Sequence, residues 1–435
     1  MTSAAYLGID IGTSGIRGSC IDESCDELVS LKIPFEHTPI TSNDTSEQDP
    51  LPWLEMLDRL LEQITAALSA HDATYRIRGI AIDGTSSTLI ACKKDGTALS
   101  PAMMYNDQQS KEQANIIKRF APADSAVHGA SSSLAKALFL LKRYSSTEKL
   151  CHQADWLAAS LTGKYGVSDE NNCLKLGYDS ITGCWPEWLF DNPEDAVIPA
   201  SLLPEVYPPC TSLSTIKSEL IKKYGLDENC ILVAGTTDSN AAVLATGAYR
   251  AGDAVTSLGS TLVVKLFSDK PIFDPTLGIY SHRLNGKWLV GGASNSGGNV
   301  LLQQFTQQQI DALSSQLEPE RATGLNYYPL PSAGERFPVN DCNKPPCIEP
   351  RPDSDLVFFQ GLLEGIAGIE VEAYAKLVEL GATKPTRILT AGGGSKNQAW
   401  RKIRERMTGT TVVTAAHTEA SYGSALLARE GCQGR

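Results

Sequence analysis

Two aspartates stand where apolar strands give way to small, hydroxyl-bearing turns. Asp10 lies in "YLGIDIGTSGIRG", between a hydrophobic run and a Gly-Thr-Ser-Gly turn that leads into a second strand. Asp238 lies in "CILVAGTTDSNAAVLATGA", after a buried strand and before a helix of small residues. Glycines at a strand end let backbone approach a ligand closely, and the N–H groups and hydroxyls that follow can point at phosphate oxygens. Thr13 and Ser14 in the first loop, and Gly259, Ser260 and Thr261 in "TSLGST", suit that role. A carboxylate facing polyphosphate is repelled unless a cation lies between them, so Asp10 implies Mg2+, held partly through water. The plain alternative for Asp10 is a turn-capping aspartate. Asp238 also has two readings: a helix N-cap worth about 1 kcal/mol, or a general base for a substrate hydroxyl attacking a γ-phosphate. The surrounding loops favour the base.

Such loops need strands that end at them. "IRGIAIDGTSSTLIACKKDG" reads as strand, turn, strand and a Lys-Asp-Gly hairpin turn, and "WLEMLDRLLEQITAALSAH" carries its leucines and isoleucines at helical spacing. Between the first strands and that helix, residues 39–52 read as a loop rich in Pro, Ser and Asp. The order strand, "IGTS", strand recurs late in the chain as strand, "LGST", strand. Gly-Ser-Thr turns are common between strands, so this echo alone leaves duplication and coincidence both open. A third loop, "ILTAGGGSKNQAW", adds three glycines and Ser-Lys-Asn between a strand and a helix, and the three together read as parts of one nucleotide site.

Length and composition narrow the classes. A chain of 435 residues predicts two or three domains. With 38 Lys+Arg against 50 Asp+Glu, the formal charge of −12 argues against a nucleic-acid surface. No apolar run approaches a membrane span, and the N-terminus lacks the pattern of a signal peptide. The eleven cysteines form no zinc spacing and predict a reduced intracellular compartment; Cys342 and Cys347 in "CNKPPC" read as free thiols, with a redox switch as the sharper alternative. There is no G-x4-G-K-[ST] loop, no G-x-G-x-x-G, no G-x-S-x-G and no H-E-x-x-H. Phosphoryl transfer without a P-loop is the chemistry that remains.

In order along the chain, "GIDIGTSGIR", "ADWLAASLTG", "GTTDSNAAVLATG", "TSLGST" and "AGGGSKNQAW" resemble the FGGY carbohydrate kinases of the actin-like ATPase superfamily. A narrower set, including "IDGTSST", "NCLKLGYD" and "YYPLPSAGERFP", resembles the plant and cyanobacterial branch similar to D-ribulose kinase. The resemblance implies an α/β fold of two actin-like (ribonuclease H-like) domains, residues 1–245 for the sugar and 246–435 for the nucleotide, with a cleft between them. The final helix is expected to pack back on the first domain. ATP and Mg2+ are the implied cofactors. Asp10 would serve the magnesium-bound phosphates and the sugar, with Thr13, Ser14 and Gly15 in the same loop and Arg17 near it. Asp238 would be the base, Ser86 a sugar contact, and Gly259, Ser260 and Thr261 the phosphate lining. Gly393, Gly394, Asn397 and Trp400 would surround adenosine. Two departures stand out: "YNDQQS" has Tyr105 where larger family members have a tryptophan, with no following arginine, and "IDGTSS" replaces a Met-His-Gly sugar loop. A site with fewer hydroxyl-reading groups discriminates less between epimers.

The expected activity is ATP-dependent phosphorylation of the terminal hydroxyl of a ketopentose, D-ribulose above all. D-xylulose kinase and a nucleotide-binding actin-like sensor with slow ATPase activity are the alternatives. The expected partners are a small-molecule sugar and ATP, with no nucleic acid and no membrane. The expected compartment is plastid or cytoplasm.

Overall fold

The computed structural model describes residues 2–36, 39–191 and 197–434. The chain forms two units, one of Met1–Ala245 with Glu419–Arg435, the other of Thr246–Thr418. The first is built on a six-stranded sheet of β1 (Ser3–Ile11), β2 (Gly15–Asp22), β3 (Glu27–Pro34), β4 (Tyr75–Gly84), β5 (Ser212–Thr215) and β6 (Ile231–Val233). Its spatial order is β5-β6-β4-β1-β2-β3. β1, β2 and β3 form an antiparallel meander, while β4 and β6 run parallel to β1. From Tyr6 onward every residue of β1 is buried, as a central strand covered on both faces requires.

Helix α1 (Leu51–Ser69) buries Trp53, Leu57, Leu60, Leu61, Ile64 and Leu68, a stripe at helical spacing, against this core. The C-terminal helix, Ala420–Cys432, lies on the other side of the strands. A Cβ on Gly8 of β1 would stand 1.9 Å from the Ser421 carbonyl oxygen, so only glycine lets that helix approach so closely. Helix and strands are further tied by Ser19 Oγ and Ser421 Oγ at 2.9 Å.

A second sheet of the first unit joins Ile40–Ser42, Thr45–Gln48, Ala102–Met103, Leu89–Cys92 and Lys149–His152. Part of the stretch expected to be loop is therefore a hairpin. Asn43 turns it with a φ of 49°, a left-handed conformation that asparagine tolerates better than most residues.

The second unit repeats the plan. Its strands are β7 (Asp253–Leu258), β8 (Leu262–Ser268), β9 (His282–Leu284), β10 (Lys287–Ser294), β11 (Arg387–Ala391) and β12 (Val412–Thr414), in the order β9-β10-β8-β7-β11-β12. β7, β8 and β10 form an antiparallel meander; β11 and β12 continue in parallel beside β7. The "IGTS" and "LGST" turns thus join equivalent strands, β1 to β2 and β7 to β8. Long helix Asp355–Glu379 covers this sheet with Phe358, Phe359, Leu362, Leu363 and Ile366. Among the described residues no helix is long and apolar enough to cross a membrane.

Candidate active site

Strand register assembles the first half of the site. Parallel pairing of β1 with β4 places Asp10 opposite Asp83, and a parallel bridge between Gly84 and Thr237 brings in Asp238 one residue later. Three carboxylates therefore gather at the C-terminal ends of parallel strands, where open α/β sheets bind ligands. Antiparallel pairing puts Arg17 directly across from Asp10, and its Nη1 donates to Asp10 Oδ2 at 2.7 Å. Asp10 thus has a protein cation on one oxygen. Arg17 Nε also lies 3.6 Å from Glu419 Oε2.

Asp83 is wholly buried, and Ser424 on the C-terminal helix donates to its Oδ2. Burial, then the Asp10 charge, raises its carboxyl well above the usual range. Among the described residues no N–H or hydroxyl reaches Oδ1 of either acid. Asp238 opens the helix Asp238–Ala245, its Oδ1 accepting from the Ser239 N–H at 2.6 Å. Burial and then the charge of Asp10 push it up to about 6, against the pull of that N–H and of Lys175. Lys175, on a 3-10 turn Leu174–Leu176, is lowered by burial, with Asp238 opposing the shift. The turn follows a short helix fastened to the Asp238 loop by Asn171 Nδ2 donating to Thr236 Oγ1 at 2.9 Å.

The loop residues fall around these acids. Gly12 N–H closes the first turn on the Gly15 carbonyl at 3.0 Å, leaving Ser14 exposed and Thr13 partly so. Gly15 is buried against β3. Ser86 is partly exposed, while Thr85, Ser87 and Thr88 beside it are buried. Among the described residues no group of three His, Cys, Asp or Glu side chains is arranged to hold a metal. Magnesium takes one or two carboxylates and completes its shell with water and phosphate, so the donor-free Oδ1 of Asp10 fits it.

The second unit carries a cavity of about 670 Å³, of ligand size. Its lining includes Gly259, Ser260, Gly298, Gly393, Gly394 and Asn397, with Leu258, Ile310, Phe359 and Trp400 as apolar walls. Gly298 and Asn299 N–H groups hold the carbonyls of Gly259 and Ser260, at 2.9 and 3.1 Å. Gly392 has a φ of +80° and would drive a Cβ to 2.6 Å from the Leu258 carbonyl oxygen, so this position needs glycine. Asn397 caps the helix Gln398–Thr408 by accepting from Trp400 N–H at 2.9 Å, and donates to Ser314 at 2.8 Å. Trp400 is 3% exposed and donates to the Leu363 carbonyl. Both residues thus frame the wall by structural bonds of their own. Thr261 lies outside the lining.

Sequence reasoning gave no role to Asp83, Lys175 or Lys136. "AIDGT", like "GIDIG", ends a strand in Ile-Asp with a glycine within two residues, and Lys136 interrupts the apolar run "LAKALFLL"; both were visible signals.

The family profile described as the FGGY family of carbohydrate kinases, N-terminal domain, matches residues 5–245, and its C-terminal counterpart matches 254–429. A xylulose kinase of Haemophilus influenzae is 24% identical over 439 residues, covering 96% of this chain and 88% of that protein. A gluconokinase of Bacillus subtilis is 23% identical over 457 residues, covering 95% and 85%. Among solved structures, gluconate kinase from Lactobacillus acidophilus superposes with a TM-score of 0.84 at 20% identity, covering 100% of this chain and 90% of that one. Plasmodium falciparum glycerol kinase with ADP gives 0.83 at 19%, covering 98% and 89%. With both family domains matched in order along nearly the whole chain, the protein belongs to the FGGY carbohydrate kinases, sugar kinases of two-domain actin-like fold that use ATP.

Proposed function

We propose that the protein transfers the γ-phosphoryl group of ATP to the terminal hydroxyl of a ketopentose, D-ribulose first. The observation that carries this reading is Asp238, raised to about 6 beside Asp10 at the ends of the parallel strands. A base of that strength is ionised at neutral pH yet keeps appetite for a proton. Asp238 takes the hydroxyl proton as the sugar oxygen bonds to phosphorus, the bond to the β-phosphate oxygen breaks, and ADP leaves. Thr13, Ser14 and Gly15 approach the phosphates and the sugar, Arg17 adds positive charge beside them, and Ser86 touches the sugar. Gly259, Ser260 and Thr261 line the phosphates; Gly393, Gly394, Asn397 and Trp400 enclose adenosine. Asp10 would hold the magnesium that accompanies ATP, which would offset the phosphate charge. In this reading residues 1–245 supply the sugar half and the following stretch the nucleotide half.

D-ribulose is put first on the likeness of "IDGTSST", "NCLKLGYD" and "YYPLPSAGERFP" to the D-ribulose kinase branch, while the sparse hydroxyl-reading groups, with Tyr105 47% exposed and serines in "IDGTSS", speak against tight xylulose-type recognition. D-xylulose is the second reading, supported by the xylulose kinases among the relatives. A panel of ketopentoses and polyols with coupled ADP detection decides between them. The expected result is a kcat/KM for D-ribulose above that for D-xylulose by about threefold, a modest ratio because few groups read the hydroxyls. Equal values defeat the ribulose assignment, and ATP hydrolysis without phosphorylated sugar defeats the kinase reading.

A further inference from the structure

Lys136, in the helix Ser133–Arg143, is 0% exposed, and its Nζ donates to two backbone carbonyls, Ser87 at 2.8 Å and Met104 at 2.7 Å. Burial pulls it down to about 7, although the buried carboxylate of Asp107 opposes the shift. That carboxylate already accepts from Ser46 N–H, Gln109 N–H and Gln109 Nε2. Burying an ammonium costs several kcal/mol, so what it holds matters.

On one side it holds Ser87 at a φ of +66°, a left-handed conformation rare for a residue with a side chain, and the Ser87 hydroxyl is buried with no partner among the described residues. The same loop is fastened from the other side. Thr85 N–H and Oγ1 donate to Gln153 Oε1 at 3.1 and 2.7 Å, and Gln153 N–H donates to the Thr88 carbonyl at 3.2 Å. Ser86 is left between these fixed points with its side chain partly exposed. Met104 in turn opens a turn closed by Asp107 N–H on its carbonyl at 2.9 Å, from which Tyr105 projects 47% exposed.

We propose that Lys136 is a positioning residue for the sugar: its ammonium bolts the 85–88 loop to the 104–107 turn, so that Ser86 and Tyr105 present one preset surface to the substrate hydroxyls. The proposal rests on the reading of Ser86 as a sugar contact. Preorganisation of this kind is felt in substrate binding, since a displacement of about 1 Å costs up to about a hundredfold.

The test is steady-state kinetics of Lys136→Met, Lys136→Gln, Ser87→Gly and Ser86→Ala, each with the ketopentose that turns over fastest and with ATP. Lys136→Met is expected to raise the sugar KM by about ten- to a hundredfold, with the ATP KM within about twofold of wild type. Lys136→Gln, which keeps N–H donors, recovers most of the loss. Ser87→Gly relieves the left-handed strain and therefore folds whether or not Lys136→Met does; by loosening the loop it raises the sugar KM several-fold. Unchanged sugar KM in Lys136→Met and Ser87→Gly, or an equal rise in both substrates' KM, overturns the proposal while a raised sugar KM in Ser86→Ala leaves the Ser86 reading standing. An unchanged Ser86→Ala overturns that reading instead, and with it the purpose given to Lys136.

Discussion

The surroundings of Asp238 disfavour its charge, which suits the role of base proposed for it. Burial and Asp10 raise it from 3.8 to about 6, so kcat/KM is expected to climb through about pH 6 and level off above it, as a base that must be ionised requires. A profile flat down to about pH 5 would remove Asp238 from that role. The same shift sets a stability trend. Between pH 3.8 and about 6 the folded protein holds this proton more tightly than the unfolded chain, so stability falls as pH rises through that window and stays lower above it. Asp238→Asn is therefore expected to abolish turnover yet raise Tm at neutral pH by roughly 2–4 °C, the gain closing toward pH 4. A Tm at or below wild type at neutral pH would mean that the charge is compensated elsewhere. Asp10 and Asp238 were legible in the sequence because each sits between an apolar run and a glycine-rich or hydroxyl-rich turn. Asp83 has the same local signal, but its weight comes from standing opposite Asp10. That pairing joins residues seventy-three positions apart (83 − 10) and is set by sheet register, which local pattern does not reveal.

At the scale of elements, the second unit contains a buried ion pair that ties its helices to its sheet. Arg404, on the helix that Asn397 caps, donates through Nε and Nη2 to both oxygens of Glu370 at 2.6 Å, and each side chain is 1% exposed. Arg404 Nη1 reaches Thr390 of β11 at 2.7 Å, and Thr256 of β7 donates to Glu370. One bidentate pair thus joins two helices to the two strands whose ends carry Gly259 and Gly392. Removing one partner leaves a buried charge unpaired, and Arg404→Met is expected to cost about 3–5 kcal/mol in denaturant unfolding. Arg404→Met with Glu370→Leu should recover most of that loss, because exchanging both partners for apolar groups leaves no orphan charge. A double variant as unstable as the single one would show that packing, not charge pairing, sets the cost. The sequence marks the helix clearly but not this pair, because an arginine in "AWRKIRERM" reads as a solvated helix face.

Across the whole molecule the repeated strand order turns the echo of "IGTS" and "LGST" from a coincidence of turn residues into a repeat of fold. The two copies have diverged in chemistry. The first gathers three carboxylates with Arg17 and Lys175 near them, which suits proton removal. The second pairs glycine-rich turns with an apolar-walled cavity of about 670 Å³, which suits a nucleotide. The cavity is lined entirely by residues of Thr246–Thr418, and none of its walls draws on Asp238. Nucleotide affinity and proton transfer should therefore separate. In Asp238→Ala the dissociation constant for ADP, measured by titration calorimetry, is expected to stay within about threefold of wild type, while turnover falls by about a hundredfold or more, as loss of a general base does. If ADP affinity falls in step with turnover, Asp238 contributes to nucleotide binding, and the division of labour between the two copies is wrong.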